Sequence, residues 1–115
     1  METRIDIWTF TDVKIGQMDL TGYSVEATDG SIGKIDEATN EVGGSYIIVD
    51  TGPWIFGKHV VLPGGVVDHV DTEEKKVYVS RTKDEIKNAP EFDPDRGIDE
   101  TYRNEVGGYY SGRNA

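Results

Sequence analysis

Two histidines and five serines are the side chains best suited to catalysis or metal binding, so their spacing is the first thing to weigh. His59 and His69, with Asp68 or Asp71 beside the second, offer in principle two imidazoles and a carboxylate for a metal ion. They fall on separate expected strands without a third nitrogen or sulfur ligand, and a histidine on a half-exposed strand is ordinarily just hydrogen-bonded. No metal or other cofactor is therefore expected. None of Ser24, Ser31, Ser45, Ser80 and Ser111 sits in the Gly-x-Ser-x-Gly turn that activates a serine nucleophile. Gly64-Gly65 and Gly107-Gly108 lack the lysine and following helix of a phosphate loop. Cysteine is absent, which excludes thiol nucleophiles, zinc–thiolate sites and disulfides and suits a reducing cytoplasm. A non-enzymatic chain is the expectation.

What remains is apolar rather than reactive. Pro53-Trp54-Ile55-Phe56-Gly57 places three large apolar side chains in what should be a loop between strands. If exposed, Trp54, Ile55 and Phe56 form a protein-contact patch, since aromatic anchors dominate interface energetics. The alternative is that Trp54 or Phe56 folds back into the core, where most large aromatics lie. Tyr109 and Tyr110 near the end of the chain carry the same ambiguity and complete the set of candidate protein-binding residues.

These residues must be held by strands, because residues 21–80 carry short apolar runs punctuated by Gly, Asp and Asn. Asp29-Gly30 predicts a tight hairpin turn between Gly22–Val25 and Ser31–Thr39. The run Tyr46–Val49 is apolar throughout and reads as a core strand covered on both faces. Lys58–Pro63 is a strand ended where Pro63 removes a ladder donor and Gly64-Gly65 turns the chain. Val66–Asp71 and Lys76–Ser80 alternate around a turn at Thr72–Lys75. Thr82-Lys83-Asp84-Glu85 then has the capping-box form and starts a short helix to about Asn88. Residues 89–95 read as an extended linker, Asp99–Glu105 as a second weak helix ending at Gly107-Gly108, and the last residues as a mobile tail unless the tyrosines dock.

Size and charge narrow the class. At 115 residues one modest core is expected. No stretch approaches the roughly 18 apolar residues of a membrane span, and no leader pattern opens the chain. Ile5, Ile7, Trp8 and Phe10 suggest an extra strand or pairing edge ahead of the main run. Twelve basic against twenty-two acidic residues leave a formal net charge of −10, which repels a polyphosphate and disfavours direct nucleic-acid binding. The same charge fits a basic protein partner.

The segments Leu20–Val25, Asp29–Ile35 and Phe56–Pro63 resemble the PRC-barrel family, named for the cytoplasmic domain of the photosynthetic reaction centre H subunit. Thr82–Ile86, Ala89–Phe92 and Tyr109-Tyr110 look like the tail of its stand-alone bacterial members. The resemblance implies an all-β fold: a small PRC-type β-barrel of about six short antiparallel strands with a short C-terminal helix and an extended tail. It implies an N-terminal extension at 1–17, the barrel at 18–90 and a tail at 91–115. The family is a binding scaffold without a shared catalytic set, so it transfers no functional residues. The function expected from it is a cytoplasmic adaptor that binds protein, homodimeric or with a basic partner. The alternative, from the family's ribosome-maturation branch, is an accessory of ribosome assembly or RNA processing that binds a basic ribosomal protein.

Overall fold

A computed structural model of the chain describes residues 7–8, 10, 15–39, 45–52, 59–93, 95 and 97–111. Six strands, β1 (Ser24–Ala27), β2 (Gly30–Thr39), β3 (Tyr46–Asp50), β4 (His59–Pro63), β5 (Val67–Asp71) and β6 (Lys76–Val79), form one sheet in the order β4-β3-β2-β1-β6-β5. Two helices follow, α1 (Lys83–Lys87) and α2 (Glu100–Ser111).

Two of the expected turns form among the described residues, the first one residue earlier than Asp29-Gly30. Ala27 pairs with Gly30 across the two-residue loop Thr28-Asp29. Between β5 and β6, Asp71 Oδ1 accepts from the amides of Glu73 and Glu74, each at 3.0 Å, while Lys75 takes a left-handed φ of 56°. Gly33 has φ +144° and lies so close to the Asp50 carbonyl that a Cβ would overlap that backbone. Only glycine lets β2 cross the end of β3 there.

One expectation fails: the sheet is mixed, not wholly antiparallel. β1 and β6 run parallel, pairing Ser24 with Lys76, Val25 with Val77 and Glu26 with Tyr78. The hairpin folds β5 back on β6, so the strand that reaches β1 is β6, travelling in the same direction. This pairing brings Val25 and Val77, both fully buried, into one interior. The even alternation expected for Val66–Asp71 also fails. A register shift between Val67 and His69 breaks it, and Val66, in a 3-10 turn at Gly64–Val66, is buried beside Val67.

The core runs through every described part of the chain. Ile47, Ile48 and Val49 are all buried, as expected of a strand covered on both faces. Trp8, Phe10, Ile15 and Leu20 join the same cluster from the N-terminal side, and Tyr102, Val106 and Tyr110 join it from α2. Ile7 and Trp8 form a turn rather than a strand. Their carbonyls accept from Gly65 and Ser45, each at 2.7 Å, and Gly64 donates to the Ser45 carbonyl at 2.8 Å. The N-terminal segment thus crosses the end of β4 and the start of β3.

Helix content is greater than expected. The capping box at Thr82 is present in full, with Glu85 N donating to Thr82 Oγ1 at 3.1 Å and Thr82 N donating to Glu85 Oε1 at 2.8 Å. α2, however, does not end at Gly107-Gly108 but continues to Ser111, so Tyr109 and Tyr110 belong to a helix and not to an extended tail. Tertiary packing overrides the weak propensity of the two glycines, because Tyr110 is 2 % exposed and Gly107 sits against the Trp8 indole. Among the described residues no helix is long and apolar enough to cross a membrane.

Candidate functional site: a cleft beside strand β4

β4 is a terminal strand of the sheet order, and a cleft of about 240 Å³ opens alongside it. His59 and Val60 form one wall; Ile86, Lys87, Ala89, Pro90 and Glu91 form the other. The second wall follows from local sequence. The capping box starts α1, Ile86 is buried beneath it, and Asn88 ends it with its amide donating to the Asp84 carbonyl at 3.0 Å. Pro90 cannot continue the helix, so the chain runs on extended.

α2 fixes that wall at both of its ends. Tyr109 OH donates to the Glu85 carbonyl at 2.5 Å and Tyr102 OH donates to the Pro90 carbonyl at 3.2 Å. Arg81 Nη2 donates to the Tyr110 carbonyl at 2.6 Å and ties the C-terminal turn of α2 to the start of α1. Trp8 locks the other side of α2: its ring lies 5.2 Å from the Arg103 guanidinium and meets Tyr46 edge-on at 6.3 Å.

The charged groups that line the cleft are of both signs, with Glu91 beside Lys87 and His59. Asp50 pairs with His59 across β3 and β4, and Asp36 Oδ2 lies 3.7 Å from His59 Nε2. Asp36, Asp50 and Glu91 are exposed, with Lys87 the exposed ammonium among the lining residues. Burial pushes the hydroxyls of Tyr102 and Tyr110 well above the usual phenol range, with Glu105 adding to the effect at Tyr102. Tyr109 is raised too, first by desolvation and then by Glu85. The Tyr110 hydroxyl is buried without a hydrogen-bond partner, which costs on the order of 1–3 kcal/mol that its packed ring must offset.

The two histidines are not brought together: His59 is on β4 and His69 on β5, the opposite ends of the strand order. His69 Nδ1 is 2.8 Å from Asp68 Oδ2, and its ring stacks on Tyr78 at 4.5 Å. Among the described residues no three of His, Cys, Asp or Glu are grouped as metal ligands. Trp54, Ile55 and Phe56 lie outside the described residues. The tyrosine pair divides: Tyr109 is 39 % exposed, whereas Tyr110 is inside the core and offers no surface. Sequence reading weighed His59 only as a metal ligand and set it aside, and it passed over Val60, Lys87 and Glu91 as cleft residues. The signal was the helix stop at Ala89-Pro90 facing a strand that starts at His59.

The chain matches no protein-family model, and no curated protein sequence matches it. Among solved structures it is similar to RimM from Pseudomonas aeruginosa, a candidate 16S ribosomal RNA processing protein, at 20 % identity and a TM-score of 0.48. That match covers 56 % of this chain, which spans 42 % of the RimM chain.

Proposed function

We propose that this chain is a non-catalytic binding module on a PRC-type barrel, docking a protein partner at the cleft beside β4. The carrying observation is the cleft itself: an apolar floor of Val60, Ile86, Ala89 and Pro90 with charged groups at the rim. Its volume of about 240 Å³ falls below the roughly 300–1,000 Å³ of small-molecule sites and suits a side chain presented by another protein. The barrel reading is supported by the strand order, since β4 and β5 stand at its two ends yet are joined by only the three residues Gly64–Val66. No ladder among the described residues joins β4 to β5 and the sheet is not closed, but the short link and the shared interior of Ile32, Ile47, Leu62, Val67 and Val77 fit a curled sheet. The formal charge of −10 supports a basic partner.

The test is affinity capture from a cell lysate by the wild-type chain and by Ala89→Glu, a substitution at a half-buried cleft position. The wild type is expected to retain a protein that the variant loses, with melting temperatures within about 2 °C of each other. An identical captured set would remove the cleft from the reading. A second copy as partner appears in light scattering as twice 12.7 kDa, and a basic ribosomal protein among the captured set would point to ribosome assembly.

A further inference from the structure

We infer that helix α2 is a detachable clasp on the cleft wall, pinned by Arg81, which undocks as a unit while the six-stranded sheet stays folded. As a device that regulates the cleft it rests on the docking reading. The opening itself is a property of the fold.

Topology makes the detachment local. All six strands lie between Ser24 and Val79 and α2 begins at Glu100, so its departure parts no strand pair. Among the described residues no backbone hydrogen bond joins α2 to a strand. Its polar attachments are three bonds to or from a carbonyl: Tyr102 OH donates to Pro90, Tyr109 OH donates to Glu85, and Arg81 Nη2 donates to Tyr110. All three join it to residues that follow the last strand. Between Lys87 and Glu100 the described residues form neither strand nor helix, which leaves a tether between α2 and α1.

The sequence of α2 makes its docking weak from within. Gly107 and Gly108 are poor helix formers, and the last turn has no basic side chain to meet its negative end. Arg81 supplies that charge from outside, with its guanidinium 5.8 Å over the Tyr110 ring as well as bonded to the Tyr110 carbonyl. The pin therefore stays behind when the helix leaves. Undocking also returns the unpartnered Tyr110 hydroxyl to water. A free helix of twelve residues is marginal in water, so α2 unfolds as it detaches. Against all this stand the buried side chains of Tyr102, Val106 and Tyr110, which keep the docked form dominant and the open form a minor population.

What the opening changes is the cleft. The wall loses its bonds at Glu85 and at Pro90 together, while β4 remains in the sheet. α1 keeps its hinge, because the Lys83 amide donates to Asp29 Oδ1 at 2.8 Å. The spacing of the two walls is thus set by whether α2 is docked.

The experiment is native-state hydrogen exchange, read by NMR on the full chain in a series of urea concentrations below the unfolding transition. The Val106 and Tyr110 amides are expected to exchange faster than those of β3 and with a weaker urea dependence, because undocking exposes less surface than unfolding. Val25→Ala, in a strand flanked by β2 and β6, should speed the β3 amides and leave Val106 and Tyr110 unchanged, since the sheet is intact in both docked and open forms. Arg81→Gln should speed Val106 and Tyr110 roughly tenfold, and with them Asn88, whose amide closes α1 on the Asp84 carbonyl. A urea dependence shared by α2 and β3, or α2 amides that quicken with β3 in Val25→Ala, would mean that α2 leaves only when the whole chain unfolds and would overturn the inference. Unchanged exchange at Val106 in Arg81→Gln would remove the pin, and unchanged exchange at Asn88 would remove the link to the cleft. The urea series uses the wild type and needs no variant to fold. A clasp that opens beside identical capture by the wild type and Ala89→Glu would keep this inference and remove docking. Capture lost in Ala89→Glu beside a shared urea dependence would do the reverse.

Discussion

Two adjacent glycines in α2 have opposite physical roles, and this separates close approach from simple helix weakness. A Cβ on Gly107 would stand 2.8 Å from Trp8 Nε1, whereas one on Gly108 would meet nothing within 4 Å. Gly107→Ala must therefore push the indole away from its place between Arg103 and Tyr46. It is expected to destabilise by about 1–3 kcal/mol. Gly108→Ala removes backbone freedom from the unfolded chain at an open helical site and is expected to stabilise by up to about 1 kcal/mol. Thermal melts of the two variants should move in opposite directions, and a common direction would show that Trp8 does not fix the helix. Nothing in the sequence separates these two glycines, since the residue that distinguishes them lies about a hundred positions away.

At the scale of elements, α2 is the piece that the sequence most underspecified. Its composition predicts a weak helix stopping at two glycines, yet it runs twelve residues, from Glu100 to Ser111. The strands were far more legible. Asp29-Gly30, Pro63 and Thr72–Lys75 carry their turn chemistry locally, and the capping box at Thr82 needs only four consecutive residues. The cleft was legible in halves, as a strand beginning at His59 and a helix stop at Pro90, but no local signal places one beside the other.

The burial of α2 has a consequence in alkali. Tyr102 and Tyr110 titrate near 10.0 when unfolded and well above that when folded. Above pH 10 the folded form holds protons that the unfolded chain has lost, so stability is complete below that pH and declines as pH rises through it. The urea midpoint is expected to fall between about pH 8 and about pH 11, and to fall less in Tyr102→Phe. An equal drop in that variant would mean that α2 is not where the alkaline sensitivity lies.

For the molecule as a whole, the expected partition into extension, barrel and tail meets a core that takes side chains from all three stretches. Trp8 and Phe10 precede the sheet, Tyr102 and Tyr110 follow it, and all four belong to one buried cluster. Trp8→Ala is accordingly expected to cost about 3–5 kcal/mol, as in a central core position, and to lower the melting temperature by more than about 10 °C. A change of only a degree or two would make the N-terminal segment an attachment instead. The parallel pairing of β1 with β6 bears on how this core is reached in time. Val25 and Val77 are partners separated by some fifty residues of chain. The hairpins β1–β2 and β5–β6 close over a few residues each and form on microsecond scales, roughly 1–10 μs. Joining them requires closing the long loop that contains β3 and β4, with its entropy lost before any contact rewards it. The late step of folding is therefore expected to be the meeting of two finished hairpins along β1 and β6. Refolding should be correspondingly slow, in the millisecond-to-second range of chains dominated by distant pairings.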